Sequence, residues 1–327
     1  MTNLFIRKLR SLCILSLGAL ALSAWAGDEY PDRPITLVVP FSPGGSTDVQ
    51  GRLVAKGLAD KLGKPVIVEN RAGAAGAIGT KFVAQSKADG YTLLFASISS
   101  LVTEPVLNDK IEVGFDPLRD FTPVSIVTDM PFLLVVDCNK GAKSVKDLVA
   151  EVKANPGKFH YSSWGYGSVG NLLAEMFKLS TSTDIQHVPY KGEINALTGL
   201  LAGEVEMMFV TSVNMPQINA KRICPLAVTG TSRLPILPEI PTFDELGVKG
   251  MELQIWFGVV APAKTPAGVA DKLQKGITET IKTQEFIKAA GNLGVTVVGS
   301  SSAAFGDRIR ADQQNITALS KKVKIKE

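Results

Sequence analysis

Two glycine-rich stretches hold the residue types best able to capture a small molecule in this chain of 327 residues. The first is Phe41-Ser42-Pro43-Gly44-Gly45-Ser46-Thr47-Asp48, which follows an apolar run over 35–41 and precedes a helical stripe of Val49, Leu53, Leu58 and Leu62. A helix starting there leaves four backbone N–H groups without intrahelical partners, at the positive end of the helix dipole. Ser46 or Thr47 can cap that start, and the glycines let a ligand approach the backbone closely. The matching chemistry is capture of a carboxylate or phosphate. The charge–dipole term is only about 0.3–1 kcal/mol at an exposed site, so hydrogen bonds must supply most of the binding. The stretch lacks Gly-Lys-Ser/Thr and is no nucleotide P-loop, and Asp48 opposes a bare polyphosphate. The plainer alternative is a tight strand-to-helix turn with no ligand.

The second stretch is Ser162-Ser163-Trp164-Gly165-Tyr166-Gly167-Ser168-Val169-Gly170-Asn171. It contains the GxGxxG pattern of dinucleotide sites, but the acid of that fingerprint is missing directly after the next expected strand, where Tyr190 and Lys191 stand instead. A nicotinamide or flavin is not expected, nor any other cofactor. The same atoms form a second anion-accepting helix start, in which Trp164 and Tyr166 either line a pocket wall or cover the loop from outside. His160 and His187 lie in no recognisable nucleophile setting, neither GxSxG nor HExxH occurs, and both are read as structural. With two histidines and three cysteines in the whole chain, no metal site is expected.

The elements that must position these loops follow from periodicity. Strands are expected at 35–41, 66–68 and 91–96, with helices over 47–62 and 78–88 between them. The pattern restarts with strands at 132–136, 159–162, 185–189, 205–210 and 223–229 and helices over 145–154, 171–179 and 194–201; Asn155-Pro156-Gly157 stops the first of these helices. Beyond a proline-studded segment at 234–241 come a strand at 253–260, a long helix from 266 to 290, a strand at 295–298 and a final helix with a solvated lysine-rich end. Alternating strands and helices imply parallel sheets with right-handed crossovers. No low-complexity linker separates the two units, so crossing strands should join them and let them hinge.

Arg7, Lys8 and Arg10, an apolar core over 13–22 and Ala24-Trp25-Ala26 have the pattern of an export signal expected to be cut after Ala26, the alternative being a retained N-terminal anchor. The apolar core is too short to span a bilayer comfortably, and the mature protein is expected to be extracytoplasmic. Removing residues 1–26 leaves 32 Lys+Arg against 31 Asp+Glu. Such a near-neutral chain carries no basic footprint for nucleic acid or an anionic membrane. At 45% hydrophobic and 20% charged residues it has the balance of a packed soluble protein. Cys138 and Cys224 each border a strand-like run. They bridge if those strands lie side by side in opposite directions; otherwise they are two separate buried thiols.

The stretches YPDRPITLVVPFSPGGSTD, VIVENRAGAAGAIGTKFVAQSKADGYTLLFAS, DPLRDFTPV, ANPGKFHYSSWGYGS, VPYKG, LAVTGTSRLPILPEIPTFDELG and WFGVVAPAKTPAGV stand in that order. Over residues 30–327 the chain resembles the extracytoplasmic solute receptors of tripartite tricarboxylate transporters, often called the Bug family. The resemblance implies an α/β, two-lobed type II periplasmic binding protein (a Venus flytrap), each lobe a mainly parallel sheet flanked by helices. Residues 27–127 with 228–327 would form the first lobe and 128–227 the second. In that family, loop backbone groups and ordered waters of both lobes hold a ligand carboxylate like pincers.

Carried onto this sequence, the first-lobe contacts would be Phe41, Ser42, Pro43, Gly44, Gly45, Ser46, Thr47 and Asp48, with Ser97. The second lobe would offer Ser163, Trp164, Gly165, Tyr166, Gly167 and Ser168, with Tyr190 and Thr211. Asn171 stands where the family often has His, and Trp164 and Tyr166 stand where it usually has small residues; both departures bear on which acid fits. The implied protein is a monomeric periplasmic receptor, not an enzyme, that delivers a small carboxylate (a di- or tricarboxylate, amino acid or aromatic acid) to membrane permease subunits. Two other readings are a sensor signalling to a membrane kinase and an ester hydrolase using Ser46 or Ser168.

Overall fold

A computed structural model describes residues 30–107 and 113–323. The export signal and the last lysines lie outside the described residues. The chain opens with β1 (Ile35–Val39), α1 (Ser46–Leu62), β2 (Val66–Asn70), α2 (Ala77–Ala84) and β3 (Thr92–Ser97). β1 pairs in parallel with both β2 and β3, as the alternation requires. Of the expected stripe of Val49, Leu53, Leu58 and Leu62 on α1 only Leu58 is buried, together with Gly51, Val54 and Ala55. Small residues carry the packing: a Cβ on Gly51 would stand 2.9 Å from the Val39 side chain, so the helix lies closer to the strands than a leucine stripe would permit.

After α3 (Glu104–Leu107) comes β4 (Phe121–Met130), then β5 (Phe132–Asp137), with only Pro131 between them. β4 belongs to the first sheet and β5 to the second, so the chain crosses from one lobe to the other at a residue with no N–H to extend a ladder. The second lobe continues through α4 (Val145–Ala154), β6 (Phe159–Ser163), α5 (Val169–Thr181), β7 (Ile185–Pro189), α6 (Glu193–Ala202), β8 (Met207–Thr211), α7 (Met215–Asn219) and β9 (Ile223–Val228). The return leads into β10 (Ile255–Pro262), α8 (Ala267–Ile281), α9 (Gln284–Asn292), β11 (Thr296–Val297) and α10 (Ser302–Ser320).

The first sheet has the order β11-β4-β10-β3-β1-β2 and the second β7-β6-β8-β5-β9. Both are mixed. The parallel pairing expected from alternation holds for β1 with β2 and β3 and for β6 with β7 and β8, whereas the strands next to the crossings, β4, β10, β5 and β9, pair antiparallel. β10 is buried along its whole length and carries Trp256, whose ring meets Phe305 edge-on at 5.0 Å.

The structure corrects three further readings of the sequence. β4 fills a region where no strand was expected, because Pro123 interrupts its pattern; Pro123 lies beside a register shift against β10, a place where a strand tolerates proline. The single helix expected from 266 to 290 is two, because the Thr283 hydroxyl accepts the Phe286 N–H and starts a new helix. α1 is capped differently from expectation, as described below. Cys138 and Cys224 are bonded to each other, with Cα atoms 4.9 Å apart. The antiparallel β5–β9 pair, with Val136 opposite Cys224, brings them together.

Candidate functional site

Both glycine loops leave the ends of parallel strands and meet across the space between the lobes. The cavity there is lined from the first lobe by Phe41, Ser42, Gly45, Ser46, Thr47, Ser97 and Ser99 and from the second by Trp164 and Glu193. It has room for about one water. A second cavity alongside is walled by Phe41 and Gly73 to Gly76 on one side and Trp164, Gly165, Tyr166, Tyr190 and Lys191 on the other.

In the first loop Gly44 takes a left-handed φ of 86°, which turns the chain into α1. Neither Ser46 nor Thr47 caps the helix. The capping position is Gly45, which has no side chain to offer, and Ser46 is already the first helical residue. The Ser46 N–H and hydroxyl instead donate to Glu193 Oε2, at 3.3 and 2.9 Å, from the opposite lobe. Asp48 turns away from the cleft and braces its own loop. Its carboxylate accepts the Gly44 N–H, Arg52 Nε and Asn70 Nδ2, each at 2.9 Å. Burial alone would raise the Asp48 pKa, but these donors outweigh it and hold the group below the usual carboxylate range. Ser97 is fully buried and its N–H donates to Ser100 Oγ at 3.2 Å.

The second loop is also internally knotted. The N–H of Gly165 donates to Ser163 Oγ at 3.2 Å and that of Gly167 to Asn171 Oδ1 at 3.1 Å, while Ser168 Oγ caps α5 by accepting the Asn171 N–H. Asn171 thus braces the loop, and its amide nitrogen also donates to the Tyr161 hydroxyl at 2.7 Å. Trp164, of which 6% is exposed, lies on the cleft side, stacked on Phe132 and packed over the start of α5. A Cβ on Gly170 would stand 2.6 Å from its ring. Tyr166 lines the second cavity and meets His187 edge-on. The Tyr190 hydroxyl is committed to Glu204 at 2.6 Å, leaving only its ring on the cavity wall. His187 sits beneath the loop with Nε2 2.7 Å from Ser163 Oγ and its ring stacked on Tyr161. Burial, helped by the Lys178 charge, pushes its pKa down to about 4, so the imidazole is neutral near pH 7.

Three groups at the site were not read from the sequence. Glu193, first residue of α6, accepts the Thr211 N–H and hydroxyl and Asn214 Nδ2 on Oε1, besides the two Ser46 bonds on Oε2. Ser99 Oγ crosses the cleft to accept Trp164 Nε1 at 3.2 Å and the Val169 N–H at 3.3 Å. The serine run that follows β3 was its only signal. Ala74 and Ala75, at φ 46° and 48°, present a left-handed turn toward Gly165, a conformation costing roughly 1–2 kcal/mol per residue outside glycine. Gly73 and Gly76, which flank the two alanines, could have marked it.

Comparison with known proteins gives concordant matches. A family model described as "Tripartite tricarboxylate transporter family receptor" matches residues 51–324. "Protein BugT" of Bordetella pertussis is 38% identical over 277 residues, covering 84% of this chain and 84% of that protein. Among solved structures, "R. palustris Rpa4515 with adipate" superposes with a TM-score of 0.85 at 33% identity, covering 90% of this chain and 99% of the other. "MatC (Rpa3494) from Rhodopseudomonas palustris with bound malate" gives 0.85 at 26%, covering 89% and 100%.

Proposed function

Because this chain belongs to the tripartite tricarboxylate transporter receptor family, we propose that it is a periplasmic solute-binding receptor that closes two lobes on a small carboxylate and passes it to membrane permease subunits. One observation carries the reading: the cleft already seats a carboxylate. The Ser46 N–H and hydroxyl from the first lobe and the Thr211 N–H and hydroxyl from the second converge on the two oxygens of one carboxyl group at 2.9–3.3 Å. None of those donors is a lysine or arginine, and the group sits at the positive end of α1, where an anion is favoured. Similarity to receptors holding malate and adipate supports an aliphatic di-acid, with Trp164 and Tyr166 restricting its width.

Pro131 and the return through residues 229–254 would serve as hinges, with cargo favouring the closed form because it touches both lobes. Among the described residues no helix is long and apolar enough to cross a membrane. The hydroxyls that the hydrolase reading would use are otherwise engaged: Ser46 donates to the Glu193 carboxylate and Ser168 to the Gly165 carbonyl, while the His187 imidazole lies against Ser163.

A thermal-shift panel of malate, adipate, glutamate and benzoate tests the proposal. Ligand at a hundred times its Kd adds about 2.7 kcal/mol of stability, a rise of several degrees in Tm. Gly45→Val should abolish that rise without unfolding the chain. A Cβ there points at the Glu193 side chain 3.9 Å away, so the added methyls fill the seat while the fold accommodates them. Methyl esters that stabilise as well as the free acids would refute carboxylate capture.

A further inference from the structure

The seat occupied by Glu193 is the one a cargo carboxylate would use. Ser46 N–H and Oγ, Thr211 N–H and Oγ1 and Asn214 Nδ2 all donate to it, five bonds from both sides of the cleft. The nearby groups of the first loop do not compete for the Ser46 donors: Gly45 brings no capping side chain, and Asp48 is spent on Gly44, Arg52 and Asn70. Glu193 is buried, and its backbone heads α6, whose own dipole favours a negative charge there. Two carboxylates cannot share one set of donors, and like charges brought together in a dry cleft repel.

We propose that Glu193 is a resident competitor in the cradle, so that cargo binds only by displacing it. The inference rests on the carboxylate-receptor reading and deepens it, because it names a residue that sets affinity and selectivity. A cargo carboxylate on these donors gains little more than Glu193 loses, so a simple monoacid makes an exchange with almost no net gain. A cargo with a second polar end, reaching the cavity walled by Ala74, Ala75, Gly165 and Tyr166, adds contacts that Glu193 does not make. Glu193 therefore filters for bifunctional acids. The apparent Kd is the intrinsic Kd divided by the fraction of time the cradle stands free, so a cradle free one-tenth of the time weakens every cargo about tenfold.

Calorimetric titration of malate, adipate and propionate into the wild-type chain, Glu193→Gln and Glu193→Asp tests this. Gln keeps the shape and loses the charge; Asp keeps the charge at the α6 start but is one methylene too short to reach Ser46. Both variants should bind malate or adipate at least about tenfold tighter, and propionate, negligible with wild type, should become measurable. Wild type and both variants binding equally would sink the competitor and leave the receptor reading standing. Weaker binding in both variants would also overturn it, because Glu193 would then be a contact for the cargo. If Asp behaves like Glu while Gln gains, charge repulsion rather than occupancy is at work and the seat argument fails. No binding by any of the three proteins would overturn the receptor reading along with the competitor.

Discussion

Lowering the pH from 7 to 4.5 tests the burial of His187, the imidazole beneath the second glycine loop. Its pKa falls from an ordinary 6.5 to about 4, first because burial penalises the charged ring and second because Lys178 repels it. The folded-state pKa lies below the unfolded one, so the unfolded chain takes up the proton first on acidification. The His187 contribution to stability is therefore complete above pH 6.5 and is lost progressively as the pH falls to about 4. At about 1.4 kcal/mol per unit, the loss by pH 4.5 is about 2–3 kcal/mol. His187→Gln keeps a polar partner for Ser163 and cannot titrate. In urea unfolding at the two pH values, wild type should lose about 2–3 kcal/mol more than the variant, seen as a larger fall in midpoint at constant m. Equal losses in the two proteins would show that the ring is charged or solvated in the fold, and the reading of His187 as a dry brace for Ser163 would be wrong.

Other perturbations have equally definite signs. Gly170→Ala would normally favour a helix by about 1 kcal/mol, but its Cβ meets the Trp164 ring at 2.6 Å, so the variant should lose about 1–3 kcal/mol in denaturant titration; a stabilised variant would mean the indole is not held there. Replacing Cys138 and Cys224 together by Ser opens a link spanning 86 residues and should cost about 2–5 kcal/mol, with wild type in reductant shifting alike. A loss below about 1 kcal/mol would imply that the unfolded chain already keeps these two positions close without the bridge.

Much of the architecture was legible in short stretches. Strand and helix periodicity is local, so the two α/β units and the glycine loops at their strand ends could be read residue by residue. The same local logic failed where side chains outside the pattern decided the outcome. Pro123 hid β4, because a proline tolerated at a register shift looks like a break in sequence. Thr283 divided the last long helical stretch by capping a new one. The expected stripe on α1 weighed hydrophobicity, whereas the sheet selected the face with Gly51 and Ala55 because it packs closest.

By itself the sequence determined where backbone donors would be concentrated, since glycines and a helix start are enough to expose N–H groups. Which partner those donors meet was decided only in three dimensions. Ser46 and Glu193 lie 147 residues apart, and Ser99 and Val169 lie 70 apart. No spacing rule links residues that far along a chain; the crossing at Pro131 and the packing of two sheets bring them within hydrogen-bond reach. A carboxylate in a dry cleft settles on whatever donors can replace its water, and that choice belongs to the assembled lobes.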